Sequence, residues 1–287
     1  MNNLFRKTLL ASAVTIALAA ATSGAMAQTA VFPDFTVNEA SIAGALPNTF
    51  VGDKITGNYV EVITFAGAPA SGTFDVSLRF NAGQFVANDG KDPVNSQLGG
   101  ISANQYNLYA LYMGSGTYAN NGTQTTFNFT PGGSLRLFSD ANSDTTFGQP
   151  ANGSTAFTTG NASDDRLLAT GTPTSGQGKL DPTLMTCGSS GGQGINCGSF
   201  GASSTFALTT DGSAYFVAPS PFYNLSFQSG QLNNFSPTGT QVINGSLDVV
   251  FGGTPNAVPE PTTVALLGLG LLGFAASRRK SAKSKNA

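Results

Sequence analysis

The chain has no histidine in its 287 residues. That absence removes Ser-His and Cys-His nucleophile pairs, histidine-based metal centres and the side chain that most often acts as acid or base near neutral pH. Charge is scarce too. Asp, Glu, Lys and Arg make up 10% of the residues, against about a quarter in ordinary soluble domains. Solvated disorder depends on high net charge and few aromatics, so it is a poor description of this chain. Hydrophobic residues reach 40% and Phe alone contributes 21, enough to build a core. Only two cysteines are present, Cys187 and Cys197, too few thiols for a zinc site that has no histidine to add. No stretch between residues 28 and 258 has the periodicity of a long amphipathic helix.

The few charges are segregated. Arg6 and Lys7 lie near the start, and Arg278, Arg279, Lys280, Lys283 and Lys285 lie in the last ten residues. Between residues 28 and 258 there are 14 acidic against 6 basic residues, a net of −8. An acidic middle with no basic stripe makes nucleic acid a poor partner.

Both ends read as export machinery. Two basic residues precede Leu9 to Ala21, an apolar run of 13 residues, and Ala25-Met26-Ala27 fits the small-x-small rule for signal peptidase. The run is shorter than the ~20 residues a spanning helix needs. Residues 1–27 are therefore expected to be a signal peptide, with Ala25 and Ala27 before the cut and Gln28 after it. At the other end Val258-Pro259-Glu260-Pro261 precedes a second apolar run, Val264 to Ala276, and then Arg278-Arg279-Lys280. As a helix that run would be ~20 Å long, short for a hydrocarbon core of ~30 Å. The trailing cations would stay cytoplasmic. The two prolines keep helix from running upstream and leave an extended, grippable peptide. Gly268 to Gly273 matches G-x-G-x-x-G, but the chain ends 14 residues later with no acid to follow. The dinucleotide reading therefore fails.

The order of Pro259-Glu260-Pro261, short span and basic cluster resembles the PEP-CTERM sorting signal of Gram-negative bacteria. The resemblance implies handling by exosortase, a membrane-embedded cysteine transpeptidase, and travel with exopolysaccharide production. It divides the chain into a signal peptide (1–27), a secreted domain (28–255) and a sorting segment (256–287), with the inner membrane as a transient partner.

The middle reads as β. Thr73 to Phe80 alternates without a slip, with Phe74, Val76, Leu78 and Phe80 on one face. Further strands are expected at Tyr59 to Phe65, Tyr106 to Met113, Thr126 to Thr130, Leu135 to Phe138, Ser204 to Thr209, Ala214 to Val217, Phe222 to Gln228 and Ser246 to Phe251. Turn signals separate them at Ala87 to Gly90, Asn121-Gly122, Pro131 to Gly133 and Asp211-Gly212. The fold expected is all-β: an antiparallel β-sandwich or jelly-roll-like domain, flanked by an N-terminal signal helix and a C-terminal short transmembrane helix. Residues 139–203 hold few apolar side chains and read as long loops or a mobile insertion.

Catalytic candidates are poor. Gly188-Ser-Ser190-Gly-Gly192 matches G-x-S-x-G, but without histidine the match is glycine-rich noise. Carboxylate-only hydrolysis remains open in principle. Glu39 and Glu61 are the only glutamates in the secreted domain, and the sequence does not pair them. The two cysteines enclose nine residues and, in an exported chain, read as a disulfide. Asp140-Ala-Asn142-Ser-Asp144 has the spacing that opens a Ca²⁺ loop. Thr145 and Ala151, however, stand where that loop wants Gly and Glu. An Asx-rich turn is the favoured alternative. No other cofactor is expected.

A more particular likeness lies in Phe35 to Glu39 (FTVNE), Asp53 to Val62 (DKITGNYVEV) and Asn81 to Gly90 (NAGQFVANDG). These are similar to the flocculation-associated PEP-CTERM proteins. That resemblance implies a non-enzymatic role, holding cells in flocs within an exopolysaccharide matrix, and supplies no binding residues. A surface rich in Ser, Thr, Asn and Gly would offer neutral groups to sugars. Tyr118, Tyr215 or Tyr223 would stack on sugar rings if exposed, although most aromatics must be core. Two rival functions stand: an exported carbohydrate-active hydrolase, and a matrix scaffold that self-associates and binds no sugar.

Overall fold

A computed structural model describes residues 32–100, 104–187 and 196–253. The expected signal helix, its cleavage site at Ala25, Ala27 and Gln28, Ser190, the Pro259-Glu260-Pro261 motif, the C-terminal span and Arg278, Arg279 and Lys280 lie outside the described residues. Among the described residues no helix is long and apolar enough to cross a membrane.

In chain order the strands are β1 (Phe35–Asn38), β2 (Thr49–Gly52), β3 (Lys54–Ala68), β4 (Ser71–Ala87), β5 (Asp92–Pro93), β6 (Asn107–Asn120), β7 (Thr125–Asp140), β8 (Thr146–Gly148) and β9 (Thr158–Gly160). They continue with β10 (Arg166–Gly171), β11 (Pro173–Leu180), β12 (Gly198–Thr205), β13 (Ala207–Leu208), β14 (Phe216–Ala218), β15 (Leu225–Leu232) and β16 (Thr240–Gly252). Among the described residues a 3-10 turn covers Glu39–Ser41 and one short α-helix, α1 (Thr210–Tyr215), starts where the Thr209 hydroxyl accepts from the Gly212 N–H. The expected turn at Asp211-Gly212 and the start of the expected strand at Ala214 both lie inside it.

Hydrogen-bonded neighbours form a closed ring. β3 pairs β4, β4 pairs β6, β6 pairs β7, and β7 pairs β10 with its second half and β11 with its first. β11 pairs β12, β12 pairs β15, β15 pairs β16, and β16 returns to β3. Every one of these pairings is antiparallel. With β10 and β11 taken as one wall strand bent at Thr172, and β12 and β13 as another, this is an eight-stranded up-and-down barrel. It replaces the expected sandwich or jelly roll, while the all-β class stands. Closure leaves the wall without free edges for other strands to pair with.

The wall that closes the ring is the one the sequence hides. β11 reads Pro-Thr-Ser-Gly-Gln-Gly-Lys-Leu, and Gly176 and Gly178 oppose Phe129 and Phe127 across the β7 pairing. A Cβ at Gly176 would lie 2.9 Å from the Phe129 ring. The interior of an eight-stranded barrel is barely wide enough for its side chains, so large rings on one strand require glycine on the next. Residues 139–203, expected as loops, thus supply β10, β11 and most of β12. The true insertion is 141–165. It lies over the outside of the barrel, where the Gly153 N–H donates to the Thr64 hydroxyl and Phe147 packs on Tyr109 at 4.9 Å. The Arg79 guanidinium stacks 4.4 Å from the Phe147 ring centre.

Pro131 to Gly133 is likewise not a chain reversal. The strand runs through it as a bulge, where Met113 pairs Ser134 but Ser115 pairs Thr130. Gly133 has φ +95°, and a Cβ there would lie 2.1 Å from the Met113 carbonyl oxygen.

Both barrel mouths are stoppered by aromatics. At one, Phe35, Phe85, Phe206, Phe216, Phe222 and Phe251 pack with ring centres 4.8 to 6.5 Å apart. A small sheet in the order β14-β1-β2 contributes Phe35 and Phe216 to this stopper. At the other mouth, Phe65 and Phe127 meet Phe235 at 6.0 and 5.9 Å, and Tyr118 meets Phe65 at 5.1 Å.

Candidate functional site

Three places hold chemistry: the barrel interior, the first stopper and the outer wall. The interior encloses a cavity of about 60 Å³. Its walls are mostly apolar and aromatic, including Phe80, Phe129 and Phe200, with Glu61, Tyr112, Ser226 and Gln228 as polar exceptions. Glu61 is inward on β3 with Tyr59, Ile63 and Phe65, and is 5% exposed. Burial pushes its carboxyl up to about 8, and no cation counters that effect. At neutral pH it is a carboxylic acid, not a carboxylate. Burial, and then Glu61, raise both Tyr59 and Tyr112 above the usual phenol range. Tyr59 donates to the Gln231 carbonyl oxygen at 2.6 Å. The Tyr112 hydroxyl, the Gln228 Oε1 and the Ser204 hydroxyl are buried without a hydrogen-bond partner among the described residues. The inward residues of β15 invert the usual pattern. Ser226, Gln228 and Gly230 point in, while Leu225 and Phe227 point out.

Glu39, the other glutamate, sits in the first stopper and is fully committed. Its carboxyl accepts from Asn48 Nδ2 at 2.7 Å, the Gln97 N–H at 2.8 Å, Gln97 Nε2 at 3.0 Å and the Tyr106 hydroxyl at 3.0 Å. With the Tyr106 proton spent there, Tyr215 donates to Tyr106 at 2.6 Å. All three of Glu39, Tyr106 and Tyr215 are buried. This network ties β1, the segment before β6 and α1 together, and leaves Glu39 no free oxygen for a substrate. The two glutamates do not share a cavity, so they do not form a pair of hydrolytic carboxylates.

The expected Ca²⁺ ligands are drawn together in part. Asp140 and Asp144 meet Asp164, which the sequence pattern did not include, with carboxylate oxygens within 4.8 Å of one another. Asp140 also clamps its own loop, accepting from the N–H groups of Asp144 at 3.3 Å and Thr145 at 3.1 Å. Asn142 turns its amide nitrogen, a donor, to Asp164 at 2.8 Å. That is the bonding of an Asx-rich turn. Cys187 and Cys197 form a disulfide beyond the end of β11.

On the outer wall, register aligns polar residues, all uncharged except Lys179. Asn128, Gln177, Gly201 and Ser229 form one cross-strand row, and Thr126, Lys179, Ser199 and Gln231 the next. All of these are exposed. Phe227 stands at the edge of this face, opposite Ser203, with 39% of its surface exposed. Of the tyrosines expected as sugar platforms, Tyr118 and Tyr215 are buried. Tyr223 is half-buried and donates to the Asp34 carbonyl oxygen. Sequence reasoning missed Phe227; its signal was the out-facing position on a strand whose in-facing partners are Ser226 and Gln228.

No curated protein and no solved structure is similar to the chain at a meaningful level. Residues 257–280 match the PEP-CTERM protein-sorting motif. The chain therefore carries a PEP-CTERM sorting signal, which marks it for processing by exosortase and for export to the cell envelope or surface.

Proposed function

We propose that this is a non-enzymatic surface protein that holds cells together within an exopolysaccharide matrix, and that it grips the polymer with the outer face of β11, β12 and β15. The observation that carries the reading is Phe227, an exposed ring beside rows of amides and hydroxyls that hold a single charge, Lys179. Such a surface suits a sugar: the ring packs on the apolar face of a pyranose while Gln177, Ser199 and Ser229 exchange hydrogen bonds with hydroxyls. The absence of histidine and the full commitment of Glu39 argue against a hydrolase. Each contact is weak, and retention comes from many copies acting along one polymer.

The test is a pull-down of purified protein on the exopolysaccharide of the producing strain. Phe227→Ala and Gln177→Ala are expected to lose most of the retention. Gln177→Ala, an exposed position, should keep the wild-type melting temperature, and Phe227→Ala, with 39% of its surface exposed, should lower it only by the burial it loses. Full retention by both variants moves the contact elsewhere. Retention of none of the proteins, together with concentration-dependent self-association, supports the scaffold that binds no sugar.

A further inference from the structure

The barrel interior is a second place where chemistry is arranged, and polymer binding does not use it. Two buried polar groups face it without partners among the described residues, the Tyr112 hydroxyl and the Gln228 Oε1, and the Glu61 side chain, 5% exposed, lines it beside them. A buried polar group left unpaired costs about 1–3 kcal/mol, so a cavity lined by two of them and a buried carboxyl is built for an occupant. Its size bounds that occupant. About 60 Å³ falls between the roughly 10–15 Å³ that holds one water and the roughly 150 Å³ cavity that takes benzene. A sugar ring does not fit; a molecule of a few heavy atoms does.

The donors and acceptors decide its chemistry. Gln228 Nε2 is spent on the Ser226 hydroxyl at 2.8 Å, leaving the amide oxygen as acceptor. The Glu61 oxygens are acceptors once the proton leaves, and the Tyr112 hydroxyl accepts as well as donates. The site is rich in acceptors and lacks a cation. Facing Glu61 are Tyr59 on its own strand and Tyr112 on β6. The residues that β4, β7, β12, β15 and β16 turn into the cavity carry no ionisable group. Phe80, Tyr112, Phe129 and Phe200 also line the cavity, and the face of an aromatic ring attracts positive charge.

We propose that the barrel cavity binds a small organic ammonium ion, of the size of methylammonium, by pairing it with the Glu61 carboxylate, the Gln228 amide oxygen and the Tyr112 hydroxyl. Binding displaces the Glu61 proton to solvent, so one proton leaves for each cation taken up. The site is separate from the outer face, and its failure would leave the polymer-binding reading untouched.

The experiment is calorimetric titration of the exported protein with methylammonium chloride at constant ionic strength from pH 6 to pH 9. Saturable binding is expected, with affinity rising about tenfold per pH unit below the Glu61 titration and levelling above it. Repeating the titration at pH 7 in buffers of different ionisation heat should show close to one proton released. Glu61→Gln should abolish binding. Tyr112→Phe should weaken it and keep the pH slope, which guards against a Glu61 variant that fails to fold. Methanol, of similar size and uncharged, should not compete. Absence of saturable binding by wild type at pH 8 to 9, undiminished binding by Glu61→Gln, or equal binding of methanol would each overturn the proposal and leave the cavity as a pocket for water.

Discussion

Replacing Glu39 with Ala should lower stability by about 3–5 kcal/mol, or roughly 10 °C in melting temperature for a domain of this size. The substitution does more than delete hydrogen bonds. It leaves Asn48, Gln97 and Tyr106 turned toward an emptied site, with Tyr106 fully buried. Each stranded group costs its own desolvation. Tyr215→Phe is the control. It removes only the outermost hydroxyl, whose proton Tyr106 accepts, and should cost about 1 kcal/mol. Thermal and urea melting of the purified variants decide the matter. Equal small losses for both would mean that the stopper is held by its phenylalanines alone.

The second large effect is a pH dependence opposite to that of an ordinary carboxylate. The Glu61 carboxyl holds its proton to about 8 in the folded protein, against 4.5 for the free side chain. Between those values the folded chain binds more protons than the unfolded one, so stability falls as pH rises. The contribution is fully present below about pH 4.5, is lost progressively up to about pH 8, and is level above. At 1.36 kcal/mol per pH unit the loss is on the order of 5 kcal/mol. Glu61→Gln has no proton to lose and should flatten the curve over that interval, becoming more stable than wild type at pH 9. Urea denaturation at pH 5, 7 and 9 reads this directly. Parallel curves for the two proteins would show that Glu61 is solvated and ionised when folded.

Legibility followed the inward residues. Thr73 to Phe80 was plain because its inward positions are Phe, Val, Leu and Phe, and it lies within β4. β11 was invisible because its inward positions are glycines that make room for Phe127 and Phe129, and without β11 a closed barrel cannot be told from an open sandwich. Residues 125–140 looked like two strands because a bulge and a turn use the same Pro-Gly-Gly signal. Glu61 was half legible. Its alternation with Tyr59, Ile63 and Phe65 places it inward, but the cavity beside it is closed by β12, β15 and β16, which come from far along the chain to face β4, β6 and β7. Phe227 was missed for the reverse reason. Patterning sends a Phe inward, and only the register of β15 turns it out.

The central claim is that this exported protein holds cells in a matrix without making the matrix. It is tested most directly by measuring polysaccharide yield beside floc size in wild type, a deletion strain and the complemented deletion. A catalyst of polymer synthesis would need to bind activated sugars, normally through basic or metal-binding groups, and the secreted region offers a net charge of −8 and no histidine. The account predicts that deletion leaves polymer yield unchanged and disperses the flocs, with complementation restoring them. Loss of the polymer itself in the deletion strain would contradict it and place the protein in synthesis or export. Flocs that persist unchanged would contradict it as well.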